Sequence, residues 1–263
     1  MTDYHIHTVF CDGKNTPEEI VKTAIQKNID EIGFSGHSYV DFDKEYSMSP
    51  ENTKRYLDEI SALKNKYINE IKIFCGIEQD YYSEAPEYNY DYIIGSVHYL
   101  KCADEYISVD LDKESLISAT DKYFSGDIYS LIEEYYRHVG SIVEKTKCNI
   151  IGHFDLVEKF NEDGKLFDRN HKRYIDAYKS ALDLLLKSGA IFEINTGAVA
   201  RTYRTKPYPN SDILKYICNA GGIVILSSDC HSAENLCFGF ADAENMARLC
   251  GFKNIAKSLY DIK

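Results

Sequence analysis

With 263 residues, 44% of them hydrophobic, the chain can bury a sizeable core, and its length suits a single α/β barrel. A formal net charge of −12 argues against a polynucleotide partner, which needs a broad basic surface, but leaves a small phosphate ester open. No stretch is apolar for long enough to cross a bilayer, residues 1–8 are polar, and the eight cysteines form no C-x-x-C pair, so the expectation is a cytoplasmic protein with reduced, mostly buried thiols.

The chain alternates short apolar runs with helical segments and shows no internal repeat, so one domain over residues 1–263 is expected. Residues 2–7 form the first strand. Thr16-Pro17-Glu18-Glu19 opens a helix to about Asn28, with Thr16 as N-cap, Pro17 at the first helical position and Glu19 completing a capping box. A second strand, 31–36, ends at His37. Residues 38–50 read as a long loop before a helix with Tyr56, Ile60, Leu63 and Tyr67 at helical spacing. A third strand, 72–77, ends at Glu78, and a fourth, 91–97, at His98. Helices follow near 113–124 and 127–146. A fifth strand, 148–152, ends at His153. A long helix near 168–188, a sixth strand at 190–194 and a helix near 210–220 come next. The seventh strand, 222–227, leads into Asp229 and His231, a helix near 233–249 follows, and 252–263 adds a short closing segment. Seven such β-then-α units predict parallel pairing in a closed or nearly closed barrel, with an open doubly wound sheet as the alternative.

Six of the eight histidines fall at predicted strand ends, and parallel barrels gather those ends on one face. His5 and His7 alternate onto one side of a strand, where two imidazoles can share a divalent ion. His37, Glu78, His98, His153, Asp155, Asp229 and His231 join them from other strands. So many N and O donors exceed the four that one tetrahedral ion takes, which implies two or three ions and a multinuclear metallohydrolase. His138 and His171 fall inside helices and read as ordinary helix residues. Cys11 and Cys230 neighbour candidate ligands, but Asp and His supply enough donors without a thiolate.

His5-x-His7 with Asp12-Gly13, Gly36-His37, Gly76-Ile-Glu78, Gly95-Ser-Val-His98, Gly152-His153-Phe-Asp155 and Ser228-Asp229-Cys-His231 together resemble the polymerase-and-histidinol-phosphatase (PHP) superfamily, in its order and over nearly the whole chain. Residues 56–81, 91–99 and Glu193-Ile-Asn195-Thr-Gly197 with Arg201 and Tyr208-Pro209 narrow the likeness to histidinol-phosphate phosphatases. The resemblance implies a distorted (β/α)7 barrel holding three divalent ions, zinc, iron or manganese. It implies His5, His7, Glu78 and Asp229 at the first ion, Glu78, His98 and His153 at the second, and Asp12, His37 and His231 at the third. It further implies hydrolysis of L-histidinol phosphate by metal-activated water, with Glu78, Asp229, His231 and Arg201 as the catalytic group. Arg201, Lys159 and Arg204 are the candidate phosphate-binding cations, Arg201 foremost because its planar fork grips phosphate bidentately. Asp155 is expected to orient a ligand histidine, and the acidic loop with Asp41, Asp43 and Glu45 suits the amine and imidazole of the substrate. Rival readings are a PHP phosphoesterase acting on nucleotides and a non-enzymatic metal-binding protein. Nothing in the sequence addresses oligomeric state.

Overall fold

Thr16 accepts a hydrogen bond from the Glu19 backbone while the Glu19 carboxylate accepts one from the Thr16 amide, so helix α1 (Pro17–Gln26) starts where its capping box places it. Ser49 caps helix α2 (Pro50–Lys66) with its hydroxyl alone, which accepts from the Asn52 amide. The computed structural model describes residues 1–259. Strands β1 (Thr2–Asp3), β2 (Glu31–Phe34), β3 (Lys72–Asp80) and β4 (Tyr92–Ser96) pair in parallel in chain order. An antiparallel hairpin, β5 (Tyr99–Cys102) and β6 (Glu105–Ser108), stands outside that sheet. Helices α3 (Lys113–Phe124), α4 (Ile128–Gly140) and α5 (Ile142–Thr146) then lead to β7 (Ile150–Ile151), which pairs with β4. Helix α6 (Lys172–Ser188), β8 (Ile191–Asn195), the short α7 (Gly197–Ala200), α8 (Ser211–Asn219), β9 (Ile223–Ser227) and α9 (Phe240–Leu249) complete the described elements.

The seven-stranded sheet runs β1-β2-β3-β4-β7-β8-β9, and a parallel bridge between Ile6 and Cys230 brings its two ends together. It is the nearly closed (β/α)7 barrel that the seven units predict, so the open-sheet alternative falls. Strand alternation divides the side chains. On β3, Ile73, Cys75 and Ile77 pack outward among the helices, while Phe74 faces the axis beside Tyr4, Tyr92, Ile94, Ile150, Ile191 and Ile225. Tyr92 lies across the barrel and donates to the Tyr4 and Phe34 carbonyls. Its ring needs a glycine at 76, where an added Cβ would come within 2.3 Å of it. Above this apolar plug the same inward positions turn polar, at Glu78 and Asp80 on β3 and at Glu193 and Asn195 on β8. Among the described residues no helix is long and apolar enough to cross a membrane.

Several elements depart from expectation. The hairpin at 99–108 falls between the fourth expected strand and the next helix, where no element is expected; its turn carries no Asn-Gly or Gly-Gly pair, and Ala103 takes the left-handed conformation itself, at φ 54°. The single helix expected over 127–146 breaks at Ser141, whose hydroxyl donates to the Arg137 and His138 carbonyls. His171 lies at a helix start rather than inside one: it caps α6, accepting from the Arg173 amide, after a turn in which Asp168 takes the Asn170 amide. The helix expected over 233–249 is a 3-10 turn (Ala233–Asn235) and then α9, separated by left-handed residues at Cys237 and Gly239. In the expected closing segment Ala256 bridges to Ile225, and residues 260–263 lie outside the described residues.

Candidate metal centre

Glu78 sits at the centre of the polar layer. Its Oε2 lies 3.2 Å from His5 Nε2, 3.5 Å from His7 Nε2 and 2.8 Å from His37 Nδ1, and its Oε1 lies 3.0 Å from His153 Nε2 and 3.5 Å from His98 Nε2. Asp229 Oδ1 approaches His7 Nε2 at 3.3 Å and His5 Nε2 at 3.8 Å. Asp12 Oδ2 approaches His231 Nε2 at 3.1 Å, and its Oδ1 lies 3.6 Å from His37 Nε2. All nine residues expected to hold metal therefore meet at one place. β1 ends at Asp3, earlier than expected, yet His5 and His7 still converge, because the Ile6–Cys230 bridge keeps the backbone between them paired.

Three groups among these residues are close enough to hold an ion: His7, Asp12, His37 and His231; His5, His7 and Asp229; and His37, Glu78 and His98. The grouping follows the implied three-ion division except that Glu78 is not in the group with His5, His7 and Asp229, His7 also reaches the Asp12 group, and His37 rather than His153 completes the group with Glu78 and His98. His5 Nε2, His7 Nε2 and Glu78 Oε2 are buried without a hydrogen-bond partner. Leaving such atoms unsatisfied costs about 1–3 kcal/mol each, and a divalent cation among them would satisfy all three, so the donor set fits a metal. Charge agrees. Burial alone would raise the Glu78 carboxyl, but His5, His37 and His98 hold it well below the usual range, as a carboxylate. Burial, with His231 and His37 alongside, pushes His7 down to about 3, so its imidazole is the neutral, metal-binding form.

The backbone is bent to present Asp229. It adopts a left-handed φ of 48°, a strained conformation that clusters at functional sites. Its side chain lies so close to Gly197 that a Cβ there would come within 2.8 Å of it, which explains the glycine.

Two carboxylates that the sequence reading missed orient the histidines. Glu193 Oε1 accepts from His5 Nδ1 at 2.7 Å, and its Oε2 accepts from the His153 amide and from Asn195. Asp80 Oδ2 accepts from His98 Nδ1 at 3.1 Å. A carboxylate behind a ligand histidine fixes the tautomer that turns the other nitrogen to the metal. Signals for both existed: Glu193 is a lone acid in the apolar run 191–194, and Asp80 lies two residues past Glu78 on the same face of β3. Asp155, expected in this role, does not fill it. It accepts from the Asn210 amide, and burial beside Glu158 raises its carboxyl to about 7.

The candidate phosphate cations separate. Arg201 lines the cavity over the cluster: Nη1 donates to the Asp229 carbonyl and lies 2.7 Å from His231 Nδ1, while Nη2 donates to Asp229 Oδ2. Lys159 also lines it, donating to the Asp110 carbonyl and carboxylate. Arg204 does not. It is 5% exposed, donates to the Glu158 carbonyl at 2.9 Å and lies over the Tyr208 ring, because the turn after α7 sends it behind the barrel wall. Of the acidic loop, Asp43 reaches the cavity, whereas Asp41 and Glu45 are exposed and do not line it. Cys11 and Cys230 are free thiols raised by burial, Cys11 to about 12, and no cysteine among the described residues joins a candidate metal group. The cavity, about 380 Å³, is open to solvent and lined by six of the nine cluster residues (all but His5, His7 and Glu78) together with Asp43, Tyr46, Tyr99, Asp110, Lys159 and Arg201. Its volume suits a small molecule.

Comparison with known proteins accords with this geometry. A profile of the PHP domain matches residues 3–197. The chain is 29% identical to the histidinol-phosphatase of Bacillus subtilis, over 90% of this chain and 96% of that protein. It is 26% identical to a Schizosaccharomyces pombe protein described as "probable histidinol-phosphatase", over 95% of this chain and 87% of that one. In fold it is similar to the histidinol phosphate phosphatase of Lactococcus lactis, solved with zinc, L-histidinol and phosphate, at a TM-score of 0.71 and 22% identity, over 97% and 95% of the two chains.

Proposed function

Since the chain belongs to the PHP domain family, we propose that it is a metal-dependent phosphomonoesterase that hydrolyses L-histidinol phosphate to L-histidinol and inorganic phosphate. The convergence of nine metal-type side chains, five histidines of them around Glu78, with buried donor atoms left unsatisfied, carries the reading of a metallohydrolase. The activity named for relatives that match nine-tenths of the chain supports the substrate.

Three divalent ions, zinc, iron or manganese, are assigned. His5, His7, Glu78 and Asp229 would hold the first, Glu78, His98 and His153 the second, and Asp12, His37 and His231 the third. When bound, the ions supply Lewis acidity, which brings a water's pKa toward neutrality and offsets charge on the phosphoryl oxygens. The protein's own groups do the rest. Glu193 and Asp80 hold His5 and His98 in one tautomer. Asp229 is held by Arg201, whose guanidinium also faces the cavity and grips the phosphate there. Lys159 adds a second cation. Water oxygen adds to phosphorus, the ester P–O bond breaks, and the departing alkoxide takes up the proton that the attacking water gives up, leaving as the alcohol.

Turnover of histidinol phosphate by metal-analysed protein, beside a panel of nucleotides and other phosphate esters, tests the reading. Histidinol phosphate should give the highest kcat/KM, and chelation should abolish it. Full activity after removal of all metal, or better turnover of nucleotides, would refute the proposal.

A further inference from the structure

Four aspartates line the cavity: Asp12, Asp43, Asp110 and Asp229. Asp12 and Asp229 face the histidine cluster. Asp110 is paired with Lys159 at 3.2 Å. Asp43 differs from all three. Its Oδ2 accepts from the Tyr99 hydroxyl at 2.7 Å and its Oδ1 from the Glu45 amide, both neutral donors, and it forms no ion pair with a basic side chain among the described residues.

The carboxylate is also held in place. Ser47 donates to the Asp43 carbonyl at 2.8 Å. The neighbouring Phe42 ring stacks on Tyr106 of the hairpin, with centroids 3.7 Å apart, and packs edge-on against Tyr99. The hairpin thus fixes the loop over the cavity, where Tyr99 holds the acid and the Tyr46 ring, packed beside Tyr99, lines the same cavity. A carboxylate with no cation of its own, beside aromatic faces, is a complement for a positively charged nitrogen.

We propose that Asp43, fixed by Tyr99 in a cavity that Tyr46 also lines, anchors the aliphatic ammonium of the substrate and so selects phosphomonoesters that carry an amine. The inference rests on the phosphatase reading above and assigns its specificity to a residue outside the metal groups. Near neutral pH that amine is the protonated nitrogen, whereas an imidazole is largely neutral.

The test compares L-histidinol phosphate with its deamino counterpart, 3-(imidazol-4-yl)propyl phosphate, using metal-loaded wild type, Asp43→Asn and Tyr99→Phe. Metal content and thermal unfolding are measured beside turnover to confirm that each variant is folded and loaded. A charge-assisted hydrogen bond is worth about 10- to 100-fold, so wild type should prefer the amine by that factor in kcat/KM. The ratio should fall toward one in Asp43→Asn, chiefly through KM, and part of the way in Tyr99→Phe. Equal turnover of both esters by wild type, or an undiminished ratio in Asp43→Asn, overturns the inference and leaves the phosphatase reading standing. Turnover of neither ester by wild type overturns that reading and this inference with it.

Discussion

Replacing Glu193 by Gln tests the metal centre without touching an assigned ligand. Glu193 is fully buried and serves three donors: His5 Nδ1 at 2.7 Å, the His153 amide at 3.1 Å and Asn195 Nδ2 at 3.2 Å. Gln keeps one acceptor oxygen. With that oxygen turned to His5, its NH2 faces two other donors, and with the amide flipped it faces His5. Either way at least one buried donor loses its partner, at about 1–3 kcal/mol. Loss of a carboxylate behind a ligand histidine weakens metal binding by roughly 10- to 100-fold, or about 1.4–2.7 kcal/mol. Zinc titration against a competing chelator should show that weakening. Thermal unfolding of the chelator-treated variant should report the hydrogen-bond loss separately. A zinc Kd within about twofold of wild type would refute the argument, because His5 would then hold its orientation without Glu193.

Arg201→Lys keeps the charge but loses the fork that spans Asp229 and the cavity, so kcat/KM should fall by at least about tenfold with metal content retained; unchanged kcat/KM would remove Arg201 from phosphate binding. Arg204→Ala should act on stability instead, because it removes the cation beside buried Asp155, leaves Arg169 as the cation beside the Glu158 carboxylate and frees the Glu158 carbonyl: a loss of about 1–3 kcal/mol, read as a Tm drop on the order of 5 °C. A raised KM with unchanged Tm would restore Arg204 as a phosphate ligand. His138 donates through Nδ1 to the Glu134 carbonyl, accepts from Tyr82 at Nε2, and is held below its ordinary value of 6.5 by burial. The unfolded chain therefore binds that proton more readily than the fold, and the stabilisation is complete above about pH 6.5 and is lost as pH falls below it. Between pH 8 and pH 5.5, wild type should lose more unfolding free energy than His138→Gln in denaturant titrations; equal losses would contradict it.

Much of the fold is legible locally. Thr16 and Ser49 announce their helices because a cap and its partner lie within three residues of each other. The seven apolar runs and the donors at their ends imply a barrel with a metal face, since parallel strands in a ring must bring their C-terminal ends together. Asp12 and His231 meet His37 although no local rule joins them, and here the family resemblance reached further than residue chemistry.

Tertiary structure decided what depends on contacts distant in sequence. Glu193 lies 188 residues from the histidine it orients, and only the ladder from β1 round to β8 brings them together. Arg201 and Arg204 stand three residues apart and look interchangeable in the sequence, yet the turn after α7 sends one to the cavity and the other behind Tyr208. Asp43 is one of three acids in a polar loop, singled out by the stacking of Phe42 on a hairpin that no turn motif betrays. Periodicity and capping act over a few residues, so the chain alone determined the seven β-then-α units and the metal-type residues at their strand ends, while the Ile6–Cys230 bridge that brings the two ends of the sheet together was decided by the fold. Orientation, charge pairing and access to the cavity are set by packing between distant segments, and those the folded structure decided.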